Sequence, residues 1–209
     1  MEAFCRCLDV SFLKEESVFQ HGLSVIPWQE RREKALSYRH ENDRLLSLGA
    51  SLLLNQMLKD AGVCDVTLNY GPYGKPLLAS GQLHFSLSHS GTMAVCAVSS
   101  QPVGVDVEVI RPIPSAEILR FFHPEEVSFI EQTGYEPLEI LRIWTRRESY
   151  GKRNGIGIAG AMKKLSFLEA EPDDSRRFHE YMIDNHLITV CTGKQESVSF
   201  SKTLFTERI

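Results

Sequence analysis

A chain of 209 residues, 43% hydrophobic and 24% charged, is long enough to bury a substantial core and lacks the bias of a disordered segment. Its formal net charge of -4 argues against broad, sequence-independent binding to nucleic acid, while leaving room for a local basic pocket. The cysteines, Cys5, Cys7, Cys64, Cys96 and Cys191, form no CxxC pair, so neither a disulfide framework nor a zinc site is expected. Reduced thiols, most of them buried as small hydrophobes, are the expectation. The N-terminal MEAFCRCLDV lacks the basic segment, apolar run and small-residue cleavage site of a secretory signal, and no apolar stretch approaches about 20 residues. A cytoplasmic, non-membrane protein is expected.

In chain order, residues 3–10 read as a strand, and 27–40, beyond Pro27, as an exposed charged helix. ENDRLLSLGASLLLNQMLKDAG predicts a mostly buried helix ended by Gly62. A short strand at 66–70 leads into a turn rich in glycine and proline, Gly71 to Pro76. HFSLSHSG, MAVCAVS and VGVDVEVI read as short strands with tight connections. Two helical pieces, separated near His123 and Pro124, precede the helix PLEILRIWTRRESYGKRNG, which Gly155 or Gly157 ends. SFLEA, FHEYMI, NHLITVC and VSF then read as strands, with EPDDSRR as a loop. GTMAVCA at 91–97 and NHLITVC at 185–191 have a similar character and follow a similar order of elements, which suggests two similarly folded halves.

VGVDVE sets a chemical question. Asp106 and Glu108 stand two apart in a strand and share a face, so they repel unless a cation, a basic side chain or water lies between them. Glu148 sits on a helix with Ile140, Ile143, Trp144, Arg147 and Gly151 at spacings of three and four, on or beside an apolar face where a carboxylate needs a partner. If the three carboxylates meet, an oxygen-only set suits magnesium or manganese better than zinc, with phosphate oxygens or water completing the shell. Phosphoryl-transfer chemistry then fits better than redox chemistry. Arg147 and Lys152 flank Glu148 and are candidates for reaching a metal-held phosphate.

SLSHSG surrounds His89 with hydroxyls and backbone amides suited to an anion. No GxSxG nucleophile elbow is present. YGPYGKP departs from a phosphate-binding GxxxxGK[ST] loop, because proline follows Lys75 and a strand follows the loop. Arg31, Arg32, Lys34, Arg39 and Arg44 form a basic stretch compensated by Glu33, Glu41 and Asp43, compatible with either a salt-bridged surface helix or a phosphate site.

YGKP at 73–76, FSLSHSG at 85–91, VGVDVE at 103–108, FFHPEE at 121–126 and WTRRESYGK at 144–152 together resemble the 4'-phosphopantetheinyl transferases, over roughly residues 30–160. The resemblance is to the larger, single-chain type, which includes the surfactin-synthetase-activating enzymes and serves polyketide, peptide and fatty acid synthases. It implies a pseudo-symmetric α+β chain of two halves, residues 1–102 and 103–209, with coenzyme A in the cleft between them. It further implies transfer of the phosphopantetheine arm to a serine of an apo acyl or peptidyl carrier protein, releasing adenosine 3',5'-bisphosphate, by a monomer.

On this resemblance Asp106, Glu108 and Glu148 hold Mg2+, Ser88 and His89 lie at the coenzyme A phosphates, and Lys75 borders the nucleotide end. Arg32, Lys34 and Arg44 look similar to the family's set near the 3'-phosphate. The family's lysine before the metal-binding glutamate is here Arg147, a planar fork in place of a compact ammonium. The implied catalytic residues are Glu148, as a base directly or through water, with Lys152 and Arg147 stabilising charge. Phe121, Phe122 and Phe129 are candidates for a carrier-docking patch. The alternatives are a coenzyme A- or carrier-binding module without chemistry, a metal-dependent nuclease or nucleotide hydrolase, and a purely structural interaction protein.

Overall fold

Two sheets, each backed by one long helix, frame the described part of the chain. The computed structural model describes residues 2–71, 73–113, 118–157, 165–168, 176–193 and 195–203. The first strand, β1 (Glu2–Asp9), runs through a 3-10 turn (Val10–Lys14) into three helices, α1 (Glu16–Val25), α2 (Gln29–Ser37) and α3 (Glu41–Asp60). A small hairpin, β2 (Leu68–Tyr70) and β3 (Pro76–Leu78), precedes β4 (His84–Ser90) and β5 (Met93–Ser99). Then come β6 (Gly104–Val109), a 3-10 turn (Leu119–Phe121), α4 (Pro124–Gln132), α5 (Pro137–Asn154), β7 (Arg177–Ile183), β8 (His186–Thr192) and β9 (Ser197–Lys202).

The larger sheet has the order β4-β5-β1-β9 and the second the order β6-β8-β7. Every pairing within them is antiparallel except β1 with β9, which is parallel. This is a mixed α/β fold. Across the division expected at 102/103, β9 returns to pair with β1 from Glu2↔Ser197 to Cys7↔Lys202. SFLEA is not a strand at its described residues, 166–168, while 169–170 and residues 171–175 of the expected loop lie outside the described residues. The helix α1 had no counterpart in the sequence reading.

Alternation of side chains explains the layering. Leu8, Ala94, Cys96 and Val98 on one face of the larger sheet join Leu45, Leu48, Leu52 and Leu58 of α3 in one core. From the opposite face, Cys5, Cys7, Val95 and Ala97 meet Val105, Val107, Ile188 and Val190 of the second sheet. A third core joins Ile140 and Ile143 of α5 to Phe178 and Cys191 of that sheet and to Phe122, Ile130 and Phe167. Strands β5 and β8 are buried at every residue, as expected of strands covered on both faces. Burial pushes the thiols of Cys5, Cys7 and Cys96 upward, which makes them packing groups and poor nucleophiles. No helix among the described residues is long and apolar enough to cross a membrane.

The termini of α4 and α5 follow from sequence. His123 caps α4, Pro124 occupies its first turn, and Glu126 accepts a hydrogen bond from the His123 backbone at 2.7 Å, closing a capping box. Pro137 opens α5, and Gly155, at φ 64°, closes it. The α5 backbone runs so close to β6 that a Cβ on Gly104 would overlap the Ser149 carbonyl oxygen and lie 2.5 Å from the Arg153 nitrogen. Gly104→Ala should therefore lower unfolding free energy by about 3 kcal/mol, because rigid backbone has to move. Urea denaturation measures it, and a variant within about 0.5 kcal/mol of the native protein would contradict this packing.

Candidate active site

Strand β4 lies beside β6 where the two sheets meet, and α5 crosses the same edge. That arrangement brings together side chains that are distant in sequence. Asp106 is buried, at 4% exposure, and its Oδ1 accepts hydrogen bonds from the Ser88 hydroxyl at 2.8 Å and the Lys152 ammonium at 2.7 Å. Lys152 also donates to Ser88 Oγ at 2.8 Å. Glu108, half-buried, accepts from Ser90 Oγ at 2.8 Å.

Glu148 completes the group from α5. Burial, then the neighbouring charge of Asp106, raise its pKa from 4.5 to about 7, with Lys152 opposing them. Glu108 is raised for the same two leading reasons, and its bond from Ser90 acts in the other direction. The repulsion anticipated between carboxylates is thus present, and Lys152 relieves part of it.

A cavity of about 520 Å³ opens against this cluster, between N-terminal and C-terminal elements. Arg31 and Lys34 of α2, the 73–76 loop, Ser88 and His89 of β4, and Glu148 and Lys152 of α5 all contribute to its wall. Arg31 is held by its Nε bond to Ser51 Oγ at 3.0 Å. Burial and the Arg31 charge lower the pKa of Lys34, and His89 is lowered by desolvation and then by the Lys152 and Lys34 charges. The smaller, like-charge part of these shifts reflects basic groups set close together along one wall, where an anion would relieve their repulsion. A second cavity, of about 450 Å³, is lined by Val109, Arg111, Ile118, Leu141 and Trp144 and shares Glu108 with the cluster.

Other expected site residues lie elsewhere or are held by the backbone. Arg32 donates to the Ile26 carbonyl at 2.6 Å, and exposed Arg44 to the Tyr38 carbonyl at 2.7 Å, and neither lines the larger cavity. Arg31, one residue before Arg32, is the arginine of α2 that does, because only one side of the helix faces inward. Lys75 lines the cavity, but its ammonium is directed to the carbonyls of Lys152 at 2.6 Å and Val103 at 3.4 Å. Burial and Lys152 lower its pKa to about 8. It ties the hairpin loop to the end of α5. Phe122 is a core residue, edge-on to Trp144; Phe129 is half-buried against the same core, and half-buried Phe121 also meets Trp144 edge-on.

Arg147 departs furthest from the sequence reading. Its side chain is 0% exposed and points away from the cavity, onto the equally buried Glu126. Its guanidinium lies over the rings of Phe167, at 4.8 Å, and Phe122, at 5.6 Å. Glu126 also accepts from the Phe167 backbone at 2.6 Å. Arg146, too, is buried: its Nε meets Glu180 Oε1 at 2.6 Å, and its Nη1 meets the Leu168 carbonyl at 2.8 Å. Arg147 is thus a structural fork that locks α4 to α5. Arg147→Ala would leave Glu126 buried beside no opposite charge and should cost about 3–5 kcal/mol in chemical denaturation. A stable, folded Arg147→Ala protein would refute the structural role.

Glu148 yields a pH prediction. Its folded pKa lies above the ordinary value, so the folded state binds the extra proton and stability falls as pH rises from 4.5 through about 7. In metal-free buffer, Glu148→Gln should melt a few degrees above the native protein near pH 8, and the gap should close near pH 4, where the native carboxyl is protonated in both states. Thermal melts at the two pH values decide it, and an unchanged gap would contradict the assigned cause.

The cluster also has a donor set that fits a hard cation. Asp106 Oδ2 and Glu148 Oε1 are both buried without a hydrogen-bond partner, and carboxylate oxygens suit magnesium. Among the described residues, no group of three or more His, Cys, Asp or Glu side chains is already disposed as a metal cage. The side chains closest to that role are held by Lys152, Ser88 and Ser90. The sequence reading did not single out Ser90, and it left Arg31 undistinguished within a basic stretch; the alternation Ser86, Ser88, Ser90 along β4 is the signal that reveals the first.

Comparison with known proteins points to one family. A model described as the 4'-phosphopantetheinyl transferase superfamily matches residues 102–202. The chain is 34% identical over 147 residues to a 4'-phosphopantetheinyl transferase of Bacillus subtilis, covering 66% of this chain and 64% of the relative. It is 35% identical over 155 residues to the 4'-phosphopantetheinyl transferase HetI of Nostoc sp. (strain PCC 7120), covering 69% and 65%. With the 4'-phosphopantetheinyl transferase gsp of Aneurinibacillus migulanus it shares 30% over 135 residues, covering 62% and 56%. The chain spans less than two thirds of the length of these relatives. With β6 to β9, α4 and α5 all inside the matched segment, the chain matches the 4'-phosphopantetheinyl transferase superfamily.

Proposed function

We propose that this chain transfers the phosphopantetheine arm of coenzyme A to a serine of an apo acyl or peptidyl carrier protein. The observation that carries the reading is the meeting of Asp106, Glu108, Glu148 and Lys152 at the edge of a basic-walled cavity between the two parts of the chain. A duplicated architecture supports the cleft. Strand, helix and hairpin recur as β1, α3, β4 and β5 and again as β6, α5, β7 and β8, giving sheet orders β4-β5-β1 and β7-β8-β6. This recurrence supports reading the chain as two related halves with one site between them.

Asp106, Glu148 and Glu108 would hold Mg2+, which supplies positive charge to the pyrophosphate oxygens when bound. Arg31 and Lys34 have the position and charge for the 3'-phosphate, and Ser88, His89 and Lys152 for the pyrophosphate. The carrier serine's oxygen attacks the phosphorus that bears the pantetheine arm. A new P–O bond forms to that oxygen, and the bond to the bridging oxygen breaks, releasing adenosine 3',5'-bisphosphate. Lys152 stabilises the charge that gathers on the departing oxygens, and Glu148 accepts the serine proton, directly or through water. The second cavity, with Trp144 and Leu141 in its wall, offers apolar surface to the pantetheine arm.

Intact-mass measurement of an apo carrier incubated with this protein, coenzyme A and Mg2+ tests the reading. One phosphopantetheine should be added per carrier, with the gain lost in EDTA and in Asp106→Ala. Coenzyme A binding without any gain on several apo carriers would instead favour a binding module without chemistry.

A further inference from the structure

Three serines alternate along one face of β4 and lie against β6, although the two strands belong to different sheets. Each does a different task. Ser86 Oγ accepts the Val105 backbone N–H at 3.0 Å and, among the described residues, touches no carboxylate by hydrogen bond. Ser88 donates to Asp106 while accepting from Lys152. Ser90 combines both tasks: its Oγ accepts the Val109 N–H at 3.2 Å and donates to Glu108 Oε2 at 2.8 Å.

A hydroxyl has one hydrogen and two lone pairs, so a fixed N–H on a lone pair restricts where the hydrogen points. At Ser90 that direction is Glu108. The serine is itself held from behind. Gly91 follows it at φ 60°, and a Cβ there would lie 2.7 Å from His186 Nε2, so the chain is pressed against β8 at this turn. Asn42 Nδ2 donates to the Gly91 carbonyl at 2.8 Å, anchoring the same turn to the start of α3. Among the described residues Ser90 is the hydrogen-bond donor on the Glu108 carboxylate, while Asp106 repels it and the more diffuse charges of Lys152 and Arg111 attract it, so Ser90 is the directional contact that orients it.

We propose that Ser90 is a positioning residue that aims the Glu108 carboxylate at the divalent-cation site. The proposal rests on the metal role given to Asp106, Glu108 and Glu148 above. Ser90 does not touch the reacting groups. It acts by holding one cation ligand in place, as partners behind ligands commonly do, at about 10–100-fold in metal affinity when removed.

Mn2+ serves as the probe, with binding followed by electron paramagnetic resonance of the free ion, in the absence of coenzyme A and of turnover. Ser90→Ala should weaken Mn2+ binding by about tenfold, and Ser90→Thr, which keeps the hydroxyl, should restore most of it. Ser86→Ala is the control for the seam: it should lower the melting temperature and leave Mn2+ affinity unchanged. Native Mn2+ affinity in Ser90→Ala would overturn the proposal alone, as would equal weakening in Ser86→Ala, which would make the effect one of seam integrity. If the native protein binds no Mn2+, or Asp106→Ala binds it equally well, the metal reading fails and the role of Ser90 falls with it.

Discussion

The distance between α5 and β6 governs the site. Gly104 lets the helix backbone settle onto the strand at Ser149, the residue next to Glu148, while Asp106 stands two residues further along the same strand. A side chain at position 104 would push the helix out and take Glu148 away from Asp106. One missing Cβ thus sets how closely two carboxylates from different elements approach. That close approach creates the electrostatic problem around which the rest of the site is arranged.

The protein manages its buried charges in two contrasting ways. Behind α5, Arg147 is neutralised by Glu126, and Arg146 by Glu180 and two backbone carbonyls, so these groups are fixed structural ties. In front of α5, the compensation is partial: Lys152 serves Asp106, while Glu148 keeps a raised pKa and an oxygen without a partner. Closely paired opposite charges rigidify, whereas a cluster of like charges that is only partly compensated retains free energy to be released by a ligand. The same helix therefore carries its scaffold on one face and the candidate site on the other.

The cavity follows the same division of labour. Lys75 gives its ammonium to backbone carbonyls and so fastens the 73–76 loop to the end of α5, while Arg31 and Lys34 reach the opposite wall from α2. The walls come from elements separated by more than a hundred residues, and the second sheet joins the first without a backbone ladder between β4 and β6. Serine hydroxyls bridge that gap. A seam of side chains rather than peptide groups leaves the carboxylates of β6 facing the cavity instead of sealed inside a continuous sheet.

Much of this was legible in the chain itself. The alternation of VGVDVE put Asp106 and Glu108 on one face, helical spacing put Glu148 near an apolar stripe, and glycine and proline marked the ends of α3 and α5, because periodicity and local backbone preference are properties of neighbouring residues. The misreadings have an equally physical source. Arg146, Arg147 and Lys152 look alike as charges on one helix, yet α5 is packed on opposite sides, against Phe167 and Glu126 on one and the cavity on the other. Arg31 and Arg32 are adjacent, but a rotation of about 100° per residue sends one inward and the other to a carbonyl. The return of β9 to β1 is a long-range pairing with no local signature. Sequence by itself determined which residues were chemically competent and which face of an element each shared. Tertiary structure decided which of those faces met, since only packing selects between a charge held in the core and the same charge aimed at a ligand.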